Sequence, residues 1–156
     1  MAGGLILDDD GLLLVRNRRR NGDLDWSPPG GVIDEGETVL GGLTREVEEE
    51  TGLVVSRWDG PAYEVEVAAP GLGWNLRVEA HVAVDFTGSV RIGDPDGIVV
   101  EAAFVDPGAC GKHLAGCHPW VGEPLSAWLA ERWATARTFR YVLDGDDPAR
   151  AVVTRR

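Results

Sequence analysis

The stretch GGVIDEGETVLGGLTREVEEETGL, from Gly30 to Leu53, places seven carboxylates around one basic residue. A Gly-Gly pair opens the stretch with a turn, Thr38 is suited to cap a helix, and Gly52 is suited to end it. We therefore predict a helix that runs to about Thr51. Like charges at helical spacing repel each other by a few tenths of a kcal/mol per pair, so we expect a bound cation to offset the repulsion.

The acidic side chains of this predicted helix share one edge. At about 100° per residue, Glu46, Glu49 and Glu50 fall within an arc of about 100°. Leu40, Leu43 and Val47 occupy the neighbouring arc and would anchor the helix to a core. Carboxylate oxygens held in this way suit Mg²⁺ or Mn²⁺ better than zinc. Taken alone, the same run also fits a solvent-exposed helix face, so the flanking residues decide between the two interpretations.

The flanking residues complete a known motif. Its positions are occupied here by Gly31, Glu37, Arg45-Glu46-Val47, Glu49-Glu50 and Gly52-Leu53. In both residue types and spacing this pattern resembles the Nudix box of the Nudix hydrolases, and the preceding WSPPGG is similar to the segment that usually leads into that box. The chain is identified by this resemblance as a member of that family.

The resemblance implies an α/β fold, a Nudix-type α/β/α sandwich with a mixed β-sheet. It implies hydrolysis of a diphosphate linkage in a nucleoside diphosphate bonded to another group, for example an ADP-ribose-like compound or a nucleoside triphosphate. The cofactor would be Mg²⁺ or Mn²⁺. The residues implied in metal binding are Glu46, Glu49, Glu50 and the carbonyl oxygen of Gly30, and those implied in catalysis are Glu49, Glu50, Arg45 and Glu37. Glu37 and Arg45 would pair and fix the loop against the helix.

Two other functions are compatible with the same family. One is a non-catalytic Nudix-fold module that binds or senses a nucleotide, and the other is isomerisation of a small diphosphate. The complete set of Glu46, Glu49 and Glu50 favours hydrolysis over the binding module, and no additional cysteine near the box supports the isomerase. The sequence leaves the substrate and the oligomeric state, a homodimer included, undetermined.

Substrate-binding positions are expected outside the box. Arg16 begins a local basic patch just ahead of it that could neutralise phosphate groups. Arg77, Glu79 and His81 alternate with apolar residues, which predicts one polar face of a strand, and we expect that face to border the substrate. A half-exposed edge strand gives the same pattern.

A further carboxylate is expected in the loop of RIGDPDGIVVEAAFV. Asp94 and Asp96 lie in its flexible Gly- and Pro-containing part, while Glu101 belongs to the following strand. One of them could act as a general base or bind another metal, but Asp-Pro-Asp-Gly is also ordinary turn chemistry. We therefore favour a glutamate of the box as the base.

Composition sets the remaining expectations. A length of 156 residues fits one domain, residues 1–156, although the tail from about residue 135 cannot be assigned. The net charge of −11 argues against non-specific binding to nucleic acid or to anionic membranes, which leaves a small nucleotide as the expected partner. No apolar run reaches the roughly 20 residues of a membrane span, and no signal peptide is evident, so we expect a cytoplasmic protein.

Two cysteines, in CGKHLAGCH, raise the alternative of a zinc site. Cys110, His113, Cys117 and His118 could supply four ligands, but structural zinc sites usually draw paired ligands from two separate segments. One short loop with adjacent Cys117 and His118 is a poor chelator. We therefore expect free thiols.

The rest of the chain predicts strands and one more helix. The expected strands lie near 4–8, 12–16, 54–58, 63–67, 75–86 and 99–105. The segment RNRRRNGDLDWSPPGG is expected to be a loop. An amphipathic helix is expected from about Glu123 to Trp133.

Overall fold

The computed structural model describes all 156 residues as nine β-strands and three α-helices, with two short 3₁₀ turns. The strands are β1 (Ala2–Leu5), β2 (Leu12–Arg18), β3 (Leu24–Ser27), β4 (Gly30–Gly31), β5 (Val54–Ala69), β6 (Trp74–Thr87), β7 (Val99–Val105), β8 (Arg137–Asp144) and β9 (Val152–Arg155). The helices are α1 (Val39–Thr51), α2 (Cys110–Leu114) and α3 (Pro119–Glu131). None of the helices has both the length and the apolar character that crossing a membrane requires.

The strands form two sheets. The larger sheet has the order β4-β1-β6-β5-β8-β9, and the smaller one has the order β3-β2-β7. In the larger sheet β1 is parallel to β6 and β5 is parallel to β8, whereas the other neighbouring strands are antiparallel. The predicted α/β fold with a mixed sheet is therefore confirmed.

Two apolar clusters hold the helices against the larger sheet. Helix α3 contributes Leu125 and Trp128 to a cluster that contains Val65 and Tyr141. Helix α1 contributes Leu43 and Val47 to a second cluster, with Ile6, Val55 and Ala83. Because Leu43 and Val47 are completely buried, α1 has a fixed position on the sheet. Leu40, expected on the same face, is instead exposed.

The helix predicted in the box is confirmed, including its Thr38 cap and its end at Gly52. The segment expected to be a loop, from Arg16 to Gly31, instead contains the end of β2 and the strands β3 and β4. Strand β3 is only half-buried and pairs with β2, so backbone hydrogen bonds to a neighbour form it without an apolar run of its own.

Four further boundaries differ from the predictions. The strand expected near 4–8 is β1, which begins at Ala2 and ends at Leu5. The two strands expected near 54–58 and 63–67 are one strand, β5, whose register against β6 shifts around Gly60-Pro61. The helix expected from Glu123 to Trp133 is α3, which begins earlier, at Pro119. It ends at Glu131 because Arg132 adopts a left-handed conformation with φ of 48°. The unassigned tail forms β8 and β9, and β8 is an interior strand, paired with β5. Its partner lies about 70 residues earlier in the chain, which local sequence patterns do not reveal.

Candidate active site

Helix α1 is fixed at both ends and along one side. The hydroxyl of Thr38 accepts a hydrogen bond from the backbone N–H of Gly41 at 3.0 Å. At the other end, Gly52 adopts the left-handed conformation, with φ of 79°. Leu43 and Val47 pack into the core. The acidic edge of the helix is therefore presented in a defined orientation.

Arg45 connects this helix to the loop that precedes it. Its Nε and Nη2 each donate to the Glu37 carboxylate at 2.9 Å, which forms the predicted pair as a two-pronged contact. The Arg45 guanidinium lowers the pKa of Glu37 to about 2. Arg45 Nη1 also lies 3.2 Å from carboxylate oxygens of both Glu46 and Glu49. One guanidinium thus joins Glu37 of the loop to two of the three glutamates of the acidic edge.

Glu50 is the most buried carboxyl group of this edge, with 9% of its surface exposed. The backbone N–H of Gly30 donates to its Oε2 at 3.1 Å, and no cationic side chain contacts it. Burial raises the pKa of Glu50, the hydrogen bond from Gly30 lowers it and the nearby carboxylates of Glu46, Asp94 and Glu49 raise it, which together gives a pKa of about 8. Burial also raises the pKa of Glu46. This edge of the helix therefore has a deficit of positive charge.

The chemistry of these groups fits a hard divalent cation. Carboxylate oxygens are the ligands that Mg²⁺ and Mn²⁺ prefer, and Glu50 is buried without a counter-charge. No three acidic, histidine or cysteine side chains converge closely enough here to enclose an ion. Arg45 Nη1 contacts one oxygen of Glu46 and one oxygen of Glu49, so the second oxygen of each carboxylate has no partner in the protein. A role for the carbonyl of Gly30 stays a prediction.

A cavity of about 900 Å³ opens beside the acidic edge. Its polar part is lined by Gly30, Gly31, Asp34, Arg45, Glu46, Glu49, Glu50, Asp94 and Asp96. Its apolar wall is lined by Leu5, Tyr63, Val65, Leu76, Val78, Ala80, Trp120 and Val121. The cavity therefore offers an acidic end and an apolar surface to one ligand, as small-molecule sites do.

The two aspartates of the loop before β7 both line this cavity but differ in what they contact. The carboxylate of Asp94 accepts hydrogen bonds from the backbone N–H groups of Asp96, Ile98 and Val99, at 2.9 to 3.2 Å. It closes the turn. The carboxylate of Asp96 has no hydrogen-bond partner in the protein, so it is the freer of the two.

The strand residues predicted to border the substrate do not line the cavity. Leu76, Val78 and Ala80 of β6 face it, so Arg77, Glu79 and His81 lie on the other face of the sheet. Arg77 forms an ion pair there with Glu64 at 3.2 Å, and His81 is buried. The alternation of β6 is confirmed, but its polar face points away from this cavity, because the cavity is walled by the apolar face of the sheet.

Arg16 is also absent from the cavity wall. It lies 3.5 Å from the carboxylate of Glu101 and over the ring of Trp26. Asn17 and Arg19 of the same segment line the cavity instead, together with His118. The sequence offered one signal for Asn17, which is its position as a polar residue after the apolar run of β2. No sequence pattern marks His118, which meets the cavity only through the placement of α3.

The cysteine segment does not bring three potential metal ligands together. Cys110 and Cys117 are free thiols, and burial raises the pKa of each. Cys110 is buried in the core beside Leu114. His113 lies edge-on to the ring of Trp26, and His118 stacks on Trp120. These side chains therefore have packing roles.

Comparison with known proteins adds a family assignment. The model of the NUDIX domain matches residues 1–129. A "MutT-like protein" of Streptomyces ambofaciens is 46% identical over 52 residues, which cover 33% of this chain and 32% of that protein. "Nudix hydrolase 7" of Arabidopsis thaliana is 39% identical over 57 residues, which cover 34% of this chain and 20% of that protein. The matched region thus spans a third or less of these relatives.

Solved structures resemble the whole fold. The E. coli ORF135 protein superposes with a TM-score of 0.68 at 20% identity, and covers 85% of this chain and 91% of its own. The MutT protein of Bacillus halodurans superposes with a TM-score of 0.66 at 17% identity, over 99% of this chain and 94% of its own. At these identities the likeness concerns the fold.

Proposed function

Because the chain belongs to the Nudix family, we propose that it is a Mg²⁺- or Mn²⁺-dependent hydrolase of a diphosphate linkage in a nucleoside diphosphate bonded to another group. The observation that carries this proposal is the buried, uncompensated carboxyl of Glu50, beside Glu46 and Glu49, at the acidic end of the cavity. ADP-ribose-like compounds and nucleoside triphosphates are the substrate classes to test first. The two free thiols support a cytoplasmic location, where thiols stay reduced.

The residues of the acidic edge have separable roles in this proposal. Glu46, Glu49 and Glu50 would hold the ion, which when bound neutralises charge on phosphate oxygens and helps to orient a water molecule. The N–H of Gly30 orients Glu50. The Glu37–Arg45 pair keeps loop and helix together. Glu49, the more exposed of the last two glutamates, is the group we assign to accept the proton of the attacking water.

The test is a hydrolysis screen over ADP-ribose, nucleoside triphosphates and dinucleoside polyphosphates, with Mg²⁺ or Mn²⁺. We expect turnover of at least one class, loss of nearly all turnover in Glu50→Gln, and no change in Glu48→Gln. Glu48 is a matched control because it belongs to the same helix but is exposed to solvent. Nucleotide binding without turnover in the parent protein would indicate a binding module and contradict the proposal.

A further inference from the structure

A network of polar side chains runs along the hairpin of β2 and β3 at the cavity wall. Asn17, Arg19 and Ser27 line the cavity, and Asn17 is 6% exposed. The Asn17 amide nitrogen donates to Asp25 Oδ1 at 3.1 Å and to the hydroxyl of Ser27 at 2.9 Å. Arg19 holds Asp25 through Nε and Nη2, at 2.7 and 2.8 Å. The network therefore fixes the Asn17 side chain in one orientation.

This network also determines which atom of Asn17 meets a ligand. The carboxylate of Asp25, paired with Arg19, accepts hydrogen bonds only, so the NH₂ group of Asn17 must face it. Both amide hydrogens are then used, and Oδ1 accepts no hydrogen bond from the protein. Two buried side-chain polar atoms lack a hydrogen-bond partner, Arg16 Nε and His81 Nε2. Asn17 Oδ1 also lacks a partner but is not one of these buried atoms, so it is accessible. The cavity wall thus presents an acceptor without an adjacent amide donor.

The position of this acceptor suits a nucleobase. Leu76, Val78 and Trp120 form apolar surfaces of the same cavity, on which a flat ring can pack. Ser27 precedes Gly30 by three residues, a distance of at most about 11 Å along the chain. Gly30 in turn contacts Glu50 at the acidic end. One nucleotide can therefore reach both the hairpin and the acidic edge.

We infer that Asn17 Oδ1 contacts the substrate's base and selects adenine or cytosine, which carry an amino group at purine C6 or pyrimidine C4, over hypoxanthine and uracil, which carry a keto oxygen there. The inference rests on the proposed function, since it takes the ligand to be a nucleotide. An exocyclic amino group donates to Oδ1, whereas a keto oxygen in the same place faces a second acceptor and leaves both without a hydrogen. An acceptor that loses its partner in a desolvated site lowers affinity by roughly ten- to a hundredfold.

Binding of matched nucleotides tests this directly. Affinities of AMP against IMP, and of CMP against UMP, are measured by calorimetry in a metal-free buffer with chelator and again with Mg²⁺. We expect the amino member of each pair to bind roughly ten- to a hundredfold more tightly. Equal affinities, tighter binding of the keto member, or no binding of any of the four overturns the inference. The ratio in the parent protein needs no variant, so it is decisive even if a variant misfolds.

Two variants then locate the effect. Asn17→Leu removes the acceptor and should bring both affinity ratios close to one. Ser27→Ala frees one amide hydrogen, which can then donate to a keto oxygen, so it should lower the preference without abolishing it, because the Asp25 contact and Oδ1 stay in place. A preference that survives Asn17→Leu contradicts the assignment. Absence of hydrolysis with a preserved amino preference would instead contradict only the proposed reaction.

Discussion

We expect the substitution Glu50→Gln to lower activity and to raise stability in the absence of metal. Its carboxyl is buried next to other carboxylates, so ionising it without metal costs free energy of folding. Glu50→Gln removes that cost and can still accept the hydrogen bond from Gly30. We predict that the variant has a melting temperature a few °C higher than the parent in chelator at pH 8.5, while it loses stabilisation by Mg²⁺. A variant that is destabilised equally with and without Mg²⁺ would make this group structural.

Asp94 and Asp96 differ in their hydrogen bonds, so we expect their substitutions to have different effects. Asp94→Asn weakens the turn because an amide cannot accept on both of its atoms, so we predict lower stability of the loop. Asp96→Asn removes a carboxylate with no partner in the protein, and we predict turnover within a few-fold of the parent. Steady-state kinetics and hydrogen exchange of residues 94–99 check both. A fall in turnover of roughly 10²–10⁴ in Asp96→Asn would move the general base from Glu49 to Asp96.

At the scale of the element, helix α1 contains two glycines that sequence reasoning treats as a cost. Each is about 1 kcal/mol less favourable than alanine in a helix interior. A Cβ on Gly42, however, would lie 2.8 Å from Ile33 Cδ1 and 3.3 Å from Glu37 Oε1. A Cβ on Gly41 would lie 2.8 Å from the capping hydroxyl of Thr38. The loop of the box packs so closely on the first turn that glycine is the residue that fits.

We therefore predict that Gly42→Ala does not give the gain of about 1 kcal/mol that helix propensity alone implies, because crowding of Ile33 and Glu37 offsets it. Gly111→Ala is the matched control. Gly111 lies in α2, and nothing is within 4 Å of a Cβ placed there. Urea unfolding of both variants measures the difference. If both alanine substitutions stabilise the protein equally, Ile33 and Glu37 can move aside without loss of stability.

At the scale of the whole molecule, two carboxyl groups predict the dependence of stability on pH. The pKa of Glu37 is lowered to about 2, so its contribution is present above its unfolded value of 4.5 and is lost as pH falls toward 2. The pKa of Glu50 is raised to about 8, so its contribution is present below 4.5 and is lost as pH rises through 8. Without metal, these two groups together favour maximal stability near pH 4.5 to 5.

Denaturant unfolding from pH 3 to 9 in chelator measures this profile. We expect the loss on the alkaline side to be absent in Glu50→Gln and to be reduced by Mg²⁺, which favours the ionised carboxylate. The acidic side should be unchanged in that variant, since Glu37 is intact. An alkaline loss that persists in Glu50→Gln would assign it to other groups.

The sequence by itself determined the parts of this protein that depend on local spacing. The Thr38 cap, the length of α1 and the common edge of Glu46, Glu49 and Glu50 all follow from residues less than a few turns apart. The Glu37–Arg45 pair was implied by the family resemblance. Helical periodicity converts such spacings directly into geometry. The family resemblance rests on the same short segment.

Only the tertiary structure decided which face of β6 meets the cavity and which residues complete its wall. Alternation gives two faces but does not say which one a ligand uses, because packing against α1 and α3 makes that choice. Asn17 and Trp120 are far apart in sequence and share the cavity through strand pairing and helix placement. Strand β8 likewise joins the sheet beside β5, a partner distant in sequence. Non-local contacts of this kind have no signature in local residue spacing, so they emerge only when the chain is folded.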